Sequence, residues 1–122
     1  ASFDPPGISI AVAKDRAIES LLQVGDRFVL NILREDNHQP LLRHFLKRFP
    51  PGADRFAGVN VLEGVASGGP VLGDALAFLG CRVTQRMEVP DHWIVYAEVE
   101  QGNVADATAR TAVHHRKVGN HY

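Results

Sequence analysis

The sequence predicts a mainly β domain, an antiparallel sheet closed into a small barrel that carries two or three short helices. Three observations predict it. Runs of branched and aromatic residues with strand-like alternation recur at residues 8–13, 27–33, 75–88 and 92–101. The two longest runs are joined only by Val89-Pro90-Asp91, which suits a hairpin turn. No strand–helix alternation repeats along the chain, which disfavours a parallel sheet of the doubly wound kind.

Taken in order, Ala1 to Gly7 reads as a turn or extended segment, because Pro5 and Pro6 restrict themselves and their predecessors. Residues 8–13, Ile-Ser-Ile-Ala-Val-Ala, form the first strand. Asp15 is placed to cap a helix beginning near Arg16, whose apolar positions Ala17, Ile18, Leu21 and Leu22 share one face. Gly25 and Asp26 end it. Arg-Phe-Val-Leu-Asn-Ile-Leu at 27–33 is the second strand. Asn37 begins a second helix with Gln39 and Pro40 in its first turn and Leu41, Leu42, Phe45 and Leu46 as its buried stripe. Pro50-Pro51-Gly52 closes that helix. Glycines 64, 68 and 69 leave 59–70 irregular or weakly stranded. The hairpin of 75–88 and 92–101 follows, and 103–107 adds a short strand. Because the chain opens inside structured-looking sequence, these strands alone would leave a bare sheet edge, and one or more strands are expected to precede Ala1.

Composition excludes several function classes. A chain of 122 residues is one domain's worth, and 45% apolar with 22% charged residues is ordinary for a folded globular protein. Thirteen basic against 14 acidic residues give a net charge of −1, so no basic excess grips nucleic acid or an anionic membrane. The single cysteine, Cys81, rules out an internal disulfide and Cys-rich metal sites. No run approaches the ~18 apolar residues of a membrane span. The expected setting is soluble, reducing and cytoplasmic.

The common catalytic and phosphate-binding signatures are missing: no glycine-rich phosphate loop, no H-E-x-x-H, no C-x-x-C and no G-x-S-x-G elbow. Six histidines invite a metal test, but His114 and His115 point opposite ways on a strand, and His38 and His44 fall on different helix faces. No metal site is expected. Lys14-Asp15-Arg16 sits where a strand hands over to a helix, which permits a small anion site. A plain charged turn with a helix cap is the commoner meaning of that pattern. His92 opens a strand beside Trp93, on what would be a barrel rim, and by residue type alone reads as a surface histidine. Phe56 and Tyr122 are aromatics that either cover a flat ring or fill the core.

Five stretches then share an order with a known family: Ser-Phe-Asp-Pro-Pro-Gly before a strand, Arg-Phe-Val-Leu-Asn-Ile-Leu, Asp-Arg-Phe-Ala-Gly, Leu-Gly-Cys-Arg-Val and Asp-His-Trp-Ile-Val-Tyr-Ala-Glu-Val. Across nearly its whole length the chain resembles the flavin reductase-like, FMN-binding split-barrel domains. Ala-Val-Ala-Lys-Asp-Arg-Ala and the ending His-His-Arg-Lys-Val-Gly-Asn-His-Tyr are most similar to the C-terminal flavin reductase domain of cyanobacterial flavodiiron (diflavin) proteins. The resemblance implies a Greek-key split barrel over residues 1–122, short of its first strand or strands. It implies FMN as cofactor, NADH or NADPH as electron donor, a homodimer, and flavodoxin-like and diiron modules on the same polypeptide.

By the same resemblance, Ala1 and Ser2 touch the flavin edge and Lys14, Asp15 and Arg16 lie near the FMN phosphate. His92 positions the nicotinamide or flavin ring, and Tyr122 is a terminal aromatic close to the site. Pro90 stands where the family has glycine, which stiffens the turn before His92. The implied activity is an NAD(P)H:flavin oxidoreductase module serving oxygen or nitric oxide reduction. The alternative is a non-catalytic split barrel for dimerisation or docking, with a degenerate flavin site.

Overall fold

The computed structural model describes residues 1–16, 18, 22–36, 38–45, 56–57, 59–62, 64, 66, 68–105 and 107–112. Its main element is a five-stranded antiparallel sheet in the order β1-β2-β7-β6-β3. The strands are β1 (Ser2–Phe3), β2 (Pro6–Ala13), β3 (Arg27–Ile32), β6 (Ala77–Glu88) and β7 (His92–Val104). A second ribbon pairs β4 (Val61–Leu62) with β5 (Val71–Leu72), and α1 spans His38–Phe45. Strand β2 runs beside β7 rather than β3, so the β6–β7 hairpin is inserted between two strands that are neighbours in sequence. That crossover is of the Greek-key kind.

The hairpin dominates because its residues agree at every level. Val89 N–H donates to the His92 carbonyl at 3.0 Å, leaving Pro90 and Asp91 as the loop. Along β7, Val95 and Ala97 turn inward, with Trp93 on the same face, while Ile94, Tyr96 and Glu98 are only partly covered, the alternation expected of a strand with one wet face. The barrel core is small and apolar: Val12, Leu22, Val83 and Val95, with Ile10, Phe28 and Trp93 packed against it. A second cluster seats α1, where Leu41, Leu72 and Ala75 meet Leu33, Phe45, Val59 and Val61.

Gly7 is required by β7. A Cβ at that position would land on the Tyr96 ring. Asn31 ties β3 to the ribbon: its side-chain amide donates to the Pro70 carbonyl at 3.2 Å, and its oxygen accepts from Leu72 N–H at 2.8 Å. One side chain thus does for the β3 edge what a neighbouring strand's backbone would do. At the far end of β3, Arg34 bridges to Thr111, and Ala112 N–H donates to the Leu33 carbonyl at 2.9 Å.

Several sequence expectations shift. Strand β2 begins at Pro6 rather than Ile8, since a proline at a strand's first position costs no ladder bond. As expected, 59–70 is only weakly stranded, with the two-residue β4 as its strand. Residues 103–104 continue β7 instead of forming a separate strand, and 107–109 are turn and bend. Only one α-helix occurs among the described residues. Lys14, Asp15 and Arg16 form a turn and bend, Ile18 lies in a 3₁₀ turn, and Ala17 and Leu21 lie outside the described residues. Of the expected apolar stripe, Leu22 is 1% exposed but Ile18 is 52% exposed. Asn37, Leu46 and the proline stop at 50–52 also lie outside the described residues.

Across the outer face of β3, β6 and β7 runs a ladder of ion pairs. Arg27 Nε meets Glu100 Oε1 at 2.8 Å, and Arg82 reaches Glu98 at 3.8 Å and Glu100 at 3.5 Å. Arg27 and Arg82 are register partners, so the two glutamates separate like charges that would otherwise repel. The Arg27 guanidinium holds the Glu100 carboxyl below the usual carboxylate range. A depressed carboxyl stabilises the fold fully at neutral pH, and that contribution is lost as pH falls through its lowered value. Glu100→Gln is therefore expected to flatten the fall of the urea midpoint between pH 5 and 3. The effect is small because the pair is exposed. A variant midpoint that falls as steeply as the parent's would contradict it.

Candidate functional site

The β2–β7 ladder joins two sequence features some 75 positions apart. Ala13 pairs with His92, and Lys14 N–H donates to the Asp91 carbonyl at 3.0 Å. The cationic turn after β2 and the Pro90-Asp91 loop therefore form one end of the sheet. Strand register alone accomplishes this, because the hairpin loop fixes where β7 begins and β2 runs antiparallel to it.

At this end Lys14, Asp15 and Arg16 are exposed and His92 is partly covered. The Lys14 Nζ donates to Glu88 Oε2 at 2.9 Å and lies 5.5 Å from the centre of the Trp93 ring. Arg86 stacks on the same indole, its guanidinium carbon 4.0 Å from the ring centre. Both cations are drawn to the ring's negative quadrupole. The Asp91 carboxylate contacts His92 Nδ1 at 2.9 Å, which orients the imidazole. His92 in turn holds the Asp91 carboxyl below the usual range, with Lys14 adding a smaller pull in the same direction.

Ala1 and Ser2 do not join this group. Ser2 pairs with Gly7 at the opposite end of β2, and the Ala1 amino group donates to the Gly7 carbonyl at 2.7 Å. At the usual strand rise, Gly7 and Ala13 are separated by about 20 Å. Beside Ser2, Phe3 is fully exposed. Tyr122 and the histidines at 114, 115 and 121 lie outside the described residues. Among the described residues no cluster of three metal-ligating side chains occurs.

A cleft of about 490 Å3 runs elsewhere, along β3, lined by Ile18, Leu22, Phe28, Phe45, Phe56 and the Gly68-Gly69-Pro70 segment. Phe56 lies against Phe45 with ring centres 5.4 Å apart, so it packs on the helix. Leu22 and Phe28 are also part of the barrel core, so this cleft is where the core opens beside β3. Among its described lining residues the one cation, Arg27, is already committed to Glu100, and the rest offer mainly apolar area. Cys81 is buried, and burial together with Glu100 pushes its thiol upward, away from reactivity.

The residues at the Lys14 end fit a phosphate: two exposed cations, and one carboxylate that must yield. They show nothing that fits a flavin ring, whose expected contacts at Ala1 and Ser2 lie at the other end of β2. What the sequence alone did not reveal is Glu88. It is a charged residue at the end of a strand, with nothing in its neighbours to signal that Lys14 reaches it.

An antiparallel sheet of this Greek-key order, with a cationic turn at a strand end, defines an architecture and not by itself an activity. Comparison with known proteins narrows this. A model of the "Flavin reductase like domain" matches residues 1–120, and the chain belongs to that family. It is 68% identical to diflavin flavoprotein A 1 of Synechocystis and 66% identical to putative diflavin flavoprotein A 3 of Nostoc. All 122 residues align in both cases, and they span 21% of each relative's length. Among solved structures, an NADH:FAD oxidoreductase of Streptomyces globisporus superposes with a TM-score of 0.81 at 30% identity, over 91% of this chain and 65% of that one. The flavin reductase of the Pseudomonas putida styrene monooxygenase gives 0.71 at 27% identity, covering 91% and 67%. The chain is thus a flavin reductase-like, mainly β split barrel similar to the reductase portion of cyanobacterial diflavin proteins.

Proposed function

We propose that this chain is an NAD(P)H:flavin oxidoreductase module that takes electrons from a reduced nicotinamide onto FMN. Within a longer flavodiiron polypeptide, flavodoxin-like and diiron modules pass them on to oxygen or nitric oxide. Two copies of the module pair as a homodimer. The observation that carries the reading is the junction of the Lys14-Asp15-Arg16 turn with Asp91 and His92 across the β2–β7 ladder. Solved flavin reductases of the same fold support it, one of them in complex with NAD and FAD fragments.

FMN supplies the two-electron chemistry, so the protein needs no acid–base pair of its own for hydride transfer. Its task is placement. Lys14 and Arg16 would hold the phosphate, and Asp15 shapes the turn between them. His92, oriented by Asp91, would position the nicotinamide for hydride transfer. His92→Ala is accordingly expected to lower the rate of NADH oxidation between about 10- and 100-fold while FMN affinity stays put. An unchanged rate removes His92 from the site.

The rival reading is a split barrel kept for dimerisation or docking. It is favoured by the placement of Ser2 and Lys14 at opposite ends of β2. A protein that purifies colourless and ignores added FMN would be this second kind.

A further inference from the structure

Lys14, one of the two cations of the proposed phosphate grip, is already engaged. Its Nζ sits 2.9 Å from Glu88 Oε2. Its side chain is 34% exposed and that of Glu88 is 61% exposed. Glu88 is the last residue of β6 and pairs with Trp93, the residue on whose ring Lys14 also rests. The hairpin therefore delivers a carboxylate and an aromatic face together to one ammonium group. A phosphate approaching Lys14 meets a competing anion already in place.

We propose that Glu88 is an affinity-setting residue: it competes with the ligand phosphate for Lys14, so that binding requires the Lys14–Glu88 pair to exchange for a Lys14–phosphate pair. This rests on the phosphate reading above. The exchange costs little, because an exposed ion pair is weak. The competition falls on phosphorylated ligands alone, since an uncharged flavin has no group that draws Lys14 away from Glu88. Glu88 thus sets affinity for the phosphorylated flavin without touching the ring.

Trp93 makes the exchange visible. It is the sole tryptophan of the chain, and Lys14 lies over its ring. The test titrates FMN and riboflavin separately into the parent protein, Glu88→Gln, Lys14→Ala and the double variant, following flavin and tryptophan fluorescence. Glu88→Gln is expected to tighten FMN about fivefold and leave riboflavin unchanged. In the Lys14→Ala background the same change should gain nothing, since the partners act through each other. Glu88→Gln with no effect on FMN, or with equal effects on both flavins, overturns the role of Glu88 if Lys14→Ala still weakens FMN selectively. If Lys14→Ala also fails to separate FMN from riboflavin, the phosphate reading falls and this proposal falls with it.

Discussion

Replacing Lys14 and Arg16 together by alanine is expected to weaken FMN by about 100-fold while riboflavin affinity moves less than about twofold. The number follows from two charge-assisted contacts to a phosphate, each contributing about 1.5–3 kcal/mol in general and nearer the lower figure at an exposed turn. Riboflavin shares the ring and ribityl chain but lacks the phosphate, so it isolates the grip from everything else. Both side chains are exposed, and the fold is expected to tolerate their loss. Equal losses for the two flavins would remove the phosphate from this end of the barrel.

The largest effect on stability is expected at Leu22. It is 1% exposed and packs with Val12, Val83 and Val95 in the centre of the barrel. Leu22→Ala should cost about 2–5 kcal/mol, because the lost methyl groups leave a void that strands on both sides cannot close. In a domain this size that lowers Tm by on the order of 10 °C. Ile18, four residues earlier on the same expected face, gives the contrast. At 52% exposed it offers little to lose, and Ile18→Ala should stay within about 1 kcal/mol. Similar losses at both positions would mean that the segment packs as one amphipathic helix after all.

These two residues also show where the sequence was legible. Strand β3 and the β6–β7 hairpin were readable because alternation and a two-residue loop are local facts. Helix α1 was readable from the spacing of Leu41, Leu42 and Phe45. After Asp15, the differing burial of Ile18 and Leu22 was not readable, since helical spacing says nothing about whether the barrel wall offers room for both. For the site, residue types singled out Lys14, Arg16 and His92 separately. Their meeting is a matter of β2–β7 register, a long-range property that no local pattern encodes. Asn31 and Glu88 were missed for the same reason: each acts on a partner 39 to 74 positions away. Ala1 and Ser2 entered through resemblance alone, and they sit at the far end of β2 from the other candidates.

We propose that this barrel binds FMN and accepts electrons for it from a reduced nicotinamide. The most direct test is an anaerobic titration with FMN, followed by Trp93 and flavin fluorescence, with NADH and then NADPH added to the saturated protein. Saturable binding at one FMN per chain and protein-dependent bleaching of the flavin absorbance by at least one nicotinamide is the predicted result. No saturable binding, or bleaching no faster than with FMN alone in buffer, would contradict the account and leave a structural barrel.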